Sequence, residues 1–95
     1  MSRNPHEIAE RRIELSAEYG AKGERLKEIL EIKATTWKTI RENTKSDKSA
    51  DREWDSTEFG IEEMKLKIDM KTIEKKLSAS RTYLEVLTGE AKNLY

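Results

Sequence analysis

The chain has 95 residues, of which 35% are hydrophobic and 40% charged, with one Pro, four Gly and no Cys; a chain this short holds one domain, and the composition suits charge-laced helices. Nineteen basic side chains balance nineteen acidic ones, so no overall field draws the chain to nucleic acid or an anionic membrane. Without cysteine there is no disulfide, thiol chemistry or thiolate zinc site, and the polar opening from Met1 to His6 lacks the apolar core of a signal peptide, which together predict a soluble, cytoplasmic protein.

The first predicted element begins at Asn4-Pro5. Asn can accept a hydrogen bond from an orphan N–H, Pro suits the first helical position, and Glu7 stands three residues on. Ile8, Leu15, Tyr19, Leu26, Leu30, Trp37 and Ile40 then recur close to a 3.6-residue beat, widened by Ile29 and Ala34. This predicts a helix over about 5–43 with one buried face. The stripe skips at Lys22 and Gly23, and Gly20 and Gly23 each cost about 1 kcal/mol relative to Ala in a helix, which leaves a kink or short break at 20–23 open.

The polar, aperiodic segment 44–50 reads as a turn, because Asn, Ser, Thr and Asp side chains bond their own backbone. The next helix spans about 51–93, with Ser49, Asp51 and Asp55 all eligible as its cap. Its seam is regular: Phe59, Leu66, Met70, Ile73, Leu77, Ser80, Leu84, Leu87, Ala91 and Leu94 step by three and four once Glu63 is allowed as a miss. Gly89 offers an alternative stop near Thr88. Two long helices joined by a short turn make an all-α antiparallel helical hairpin.

A hairpin with one seam is marginal, because burial of its few apolar side chains barely meets the entropy of ordering the backbone. The second helix carries a surplus stripe, Trp54, Ile61, Met64 and Ile68, on the face opposite its seam. Such a stripe predicts an oligomer interface, and a second copy is the economical partner. Charge supports this: residues 51–63 hold six acids against one base, and residues 64–81 hold six bases against two acids. Laid antiparallel about a dyad near Ile61 to Ile68, two copies set each acidic half against the other's basic half. The expectation is a dimer forming a coiled-coil-like or four-helix bundle. The competing account of the acids alone is that they complement the helix macrodipole.

Reactive constellations are lacking. Gly20-Ala21-Lys22-Gly23 resembles a phosphate-clamping GxxG loop in spelling only, and His6, the sole histidine, cannot build a triad or a histidine metal site by itself. Carboxylate pairs such as Glu28 with Glu31 and Glu62 with Glu63 read as solvated faces. The chain therefore reads as a non-enzyme without cofactor or metal. The lysines Lys67, Lys71 and Lys75, four residues apart, form a ridge that could contact phosphates or a partner, but no aromatic lies among them to stack on bases. Trp37 and Trp54 flank the turn; a buried pair there is core, an exposed pair a partner site.

The residues Lys45-Ser46-Asp47-Lys48 with Ala50-Asp51, Trp54-Asp55 with Thr57, Gly60, the run Glu74 to Ala79 and the closing Glu90 to Tyr95 resemble a group of small helical proteins encoded by tailed bacteriophages. Lys33-Ala34 and Trp37 to Arg41 add a thinner match upstream. The group tends to end in Asn-Gln and an aromatic, where this chain has Asn93-Leu94-Tyr95. The resemblance implies a phage or prophage origin, often in the early region that carries recombination and replication functions, and no catalytic residue. The function expected is a protein-interaction accessory factor for a host or phage recombination or replication protein. Two alternatives are a nucleic-acid-binding accessory protein using the lysine ridge, and a small oligomeric inhibitor or sponge that holds a ligand between subunits, in a pocket lined by Tyr or Arg at their interface.

Overall fold

The computed structural model describes residues 4–93, and the side chains of residues 4–89. Three helices account for it: α1 Pro5–Glu42, α2 Asp47–Ser56 and α3 Glu58–Asn93. No strand occurs among the described residues, and the fold is all-α. Asn4 caps α1 as its sequence predicts, Oδ1 accepting from the Glu7 N–H at 2.9 Å with Pro5 behind it. The helix runs through Gly20 and Gly23 without a break, so of the two expectations at 20–23 the short break does not occur. A Gly in one long helix is tolerated when packing on both sides holds the backbone.

The predicted turn at 44–50 is too long. The chain leaves α1 at Asn43, whose side chain donates to the Thr39 carbonyl at 2.8 Å, and re-enters helix after Ser46, whose hydroxyl accepts from the Ser49 N–H at 3.1 Å. Ser46 was not among the three expected caps. The helix predicted over 51–93 is also two helices. At Thr57 the backbone is extended (φ −76°, ψ 160°), and the Thr57 hydroxyl donates to the Trp54 carbonyl at 2.6 Å while accepting from the Gly60 N–H at 3.0 Å. One side chain therefore closes α2 and opens α3, the usual chemistry of a threonine cap. Helix α3 continues through Gly89 to Asn93, past the alternative stop at Thr88; the seam positions Ala91 and Leu94 lie outside the described side chains.

Helices α1 and α3 lie antiparallel and give the molecule extents of 69 × 21 × 20 Å and a radius of gyration of 20.0 Å, against about 12 Å for a compact chain of this length. The short α2 folds back over the closed end of the hairpin. It buries Ala50 and Trp54 fully, and sets Trp54 against Ile29 and Leu66, with Leu26, Ile32, Trp37 and Ile40 packed around them. Three elements meet in this cluster. Along the rest of the hairpin, among the described residues, only Ile8, Leu15 and Ile73 are buried apolar side chains.

Trp54, which its spacing places on the surplus stripe and at the oligomer interface, belongs instead to the monomer's own core at 0% exposure. Residues 51–93 do not share one axis, and the bend at Thr57 turns Trp54 inward. The tryptophan pair does meet as core: Trp37 packs on the Trp54 cluster and ties α2 to α1 by donating from Nε1 to Asp51 Oδ1 at 2.8 Å.

Candidate functional site

The two faces of α3 differ in how they are covered. The face on α1 carries Glu63, Leu66, Met70, Ile73, Leu77, Ser80, Leu84 and Leu87, a three-four spacing that keeps one stripe pointing at the partner helix. Its polar members are matched across the seam. Glu63, 5% exposed, holds Lys33 Nζ at 3.1 Å and Lys67 Nζ at 3.6 Å. Arg12 Nη1 reaches over α3 to the Leu77 carbonyl and to Ser80 Oγ at 2.7 Å. Beside the seam, Tyr19 donates to Glu74 Oε1 at 2.6 Å and Lys22 pairs with Asp69 at 3.3 Å. Arg25 grips Glu62 through Nε and through Nη2 at 2.9 Å, and reaches Glu28 at 3.0 Å.

These contacts set the local electrostatics. The Arg25 hydrogen bonds hold the Glu62 carboxyl below its ordinary value and the guanidinium above its own. The bond to Glu74, aided by some desolvation and the carboxylate's charge, pushes the Tyr19 hydroxyl up. The gap in the α1 stripe at Lys22 and Gly23 has a structural reason. Lys22 serves the cross-helix pair, and Gly23 faces Met70, whose terminal methyl would be in ordinary van der Waals contact, at 3.6 Å, with a β-carbon added there.

The opposite face of α3 is uncovered. Ile61, Met64 and Ile68 are 39%, 51% and 59% exposed, and their three-four spacing aligns them along one stripe. Neither α1 nor α2 shields it. The neighbouring charges divide along α3: among the described residues Glu58 at one end and Lys65, Lys71, Lys75 and Lys76 at the other form no ion pair, Glu62 and Glu63 are held within the monomer, and Glu53 and Asp55 belong to α2, beyond the bend at Thr57.

The lysine ridge is uneven. Lys67 leans on Glu63, which neutralises part of its charge, whereas Lys71 and Lys75 stand exposed. His6 meets only Glu10, at 3.0 Å on an exposed turn, and no cluster of His, Cys, Asp or Glu able to hold a metal ion occurs among the described residues. Nor is any described helix long and apolar enough to cross a membrane. The Glu63–Lys33 pair escapes the sequence pattern: Glu63 reads as a miss in the α3 seam, and Lys33 is not on the apolar stripe of α1.

No family model, curated protein or solved structure matches this chain.

Proposed function

We propose that this chain is a non-enzymatic helical interaction protein that acts as an antiparallel dimer formed through Ile61, Met64 and Ile68 of α3. The observation that carries this reading is the exposure of those three side chains in a row on a face that no element of the same chain covers. Water contact along such a stripe costs free energy in proportion to its apolar area, and a twin stripe laid across it removes that cost from both copies. The separation of Glu58 from Lys65 and Lys71 along α3 favours the antiparallel arrangement, which sets the acid against the other copy's lysines, over the parallel one. The product is a four-helix bundle of two hairpins whose outer faces are free to bind a protein. The similarity to phage-encoded helical proteins supplies the biological setting for this reading: an accessory factor in the host cytoplasm that engages a recombination or replication protein.

Light scattering on the purified protein tests it. A mass of two chains is expected at micromolar concentration. The double substitution Ile61→Glu with Ile68→Glu should give one chain with its helical circular dichroism retained, because both side chains already stand outside the monomer core. A wild-type mass of one chain at every concentration overturns the dimer. DNA binding measured at two salt concentrations, with a steep loss at the higher one, would transfer the function to Lys71 and Lys75.

A further inference from the structure

At the open end of the hairpin, α1 and α3 enclose a cleft of about 470 Å³ whose floor is Ile8 and Leu15 and whose walls include Arg12, Lys76 and Tyr83. Its volume lies within the range of about 300–1,000 Å³ typical of small-molecule sites. Charge makes it unusual in this molecule. The chain is neutral overall and most of its interhelical cations face a carboxylate, yet among the described residues no acidic side chain lines this cleft. Arg11, also on its wall, is engaged by Glu14 at 3.0 Å. Arg12 and Lys76 form no ion pair among the described residues; Arg12 is half-buried and spends one nitrogen on the Leu77 carbonyl and Ser80 Oγ.

A guanidinium partly withdrawn from water without a counter-charge is unfavourable unless an anion completes it. Arg12 and the exposed Lys76 together match the roughly −1.5 to −2 charge of a phosphate monoester better than the single charge of a carboxylate, and the planar fork of Arg suits phosphate oxygens. Beside them the Tyr83 ring, 41% exposed, and the buried Ile8 and Leu15 offer an apolar surface on which a flat ring can lie. We propose that this cleft binds an organic phosphate of mononucleotide size, its phosphate on Arg12 and Lys76 and its ring on Tyr83. The site lies within a single protomer, on residues remote from Ile61, Met64 and Ile68, so it stands or falls independently of the dimer.

Isothermal titration with AMP, adenosine and inorganic phosphate tests the proposal, with Lys76→Gln and Tyr83→Ala as variants on exposed positions whose helicity is checked by circular dichroism. AMP is expected to bind about tenfold or more tightly than either adenosine or phosphate, because each carries only half of the recognised chemistry, and each variant should weaken AMP by about tenfold, equivalent to about 1.4 kcal/mol. Equal affinities for AMP and inorganic phosphate, or variants that leave AMP binding unchanged, would overturn it. Tighter binding of octanoate than of AMP would overturn the phosphate assignment and leave a fatty-acid cleft. The mass by light scattering, read in the same samples, reports separately on the dimer.

Discussion

Three glycines on two helices illustrate how one residue type takes its meaning from what stands nearby. A β-carbon at Gly60 would stand far inside van der Waals contact with the Trp54 carbonyl oxygen, because the first turn of α3 is pressed against the last turn of α2. Gly60→Ala should therefore force the two helices apart and destabilise the fold by about 1–3 kcal/mol. At Gly20 nothing lies within 4 Å of the added carbon, and at Gly23 the nearest atom is in ordinary contact. The pair Gly20→Ala and Gly23→Ala should stabilise α1 by about 0.5–1 kcal/mol each and raise the melting temperature by several degrees. Thermal melts of the three single variants give the comparison, and a loss of stability at Gly20 would contradict the open space seen beside it. Trp54 belongs to the same scale: its indole N–H is buried without a hydrogen-bond partner, while Lys33 Nζ stands 5.7 Å from the ring centroid. Its ring fills the cluster under α2 at the cost of one unsatisfied donor.

At the scale of elements, the hairpin is aligned by its polar seam residues. Apolar side chains with a repeating spacing would accept a slip of one heptad with little change, but a slip would part Lys33 from Glu63, Arg12 from Ser80 and Arg25 from Glu62. Lys33→Met should cost about 1–3 kcal/mol in urea unfolding, since Glu63 would remain buried with only Lys67 at 3.6 Å. Adding Glu63→Leu should recover most of that loss; a double variant no more stable than Lys33→Met would show that the pair does not govern the cost. Acid acts on the same seam. The Glu62 carboxyl sits below its ordinary value of 4.5 when folded, so its contribution is present above that pH and is lost as the pH falls through the lower folded value. A Glu62→Gln variant should thus lose less stability than wild type over that acidic range in a pH series of melts. The seam itself was legible in the sequence because helical periodicity is a property of one axis. Its polar interruptions were not, since Lys22 and Glu63 read as misses until the opposing helix supplied Asp69 and Lys33.

Taken whole, the molecule is a rod with a small three-helix knob at its closed end, and most of its apolar burial lies in the knob. A rod 69 Å long and about 20 Å across buries little interior, so a melting temperature that rises with protein concentration is the expected sign of shelter by a second copy. A concentration-independent melt would mean that the knob alone stabilises the hairpin. The amino-acid sequence determined the helical class, the capped start at Asn4, the seam of α3 from Leu66 onward and the stripe Ile61, Met64 and Ile68, because each depends on spacing and local hydrogen bonding along a single axis; Phe59, expected as the first seam residue, stands 39% exposed beside the bend. Only the tertiary structure decided that Thr57 ends one helix and begins another, that α2 returns over the hairpin, and that Trp54 is interior. Periodicity reports the angle of a side chain about its own helix and carries no information on where that helix turns.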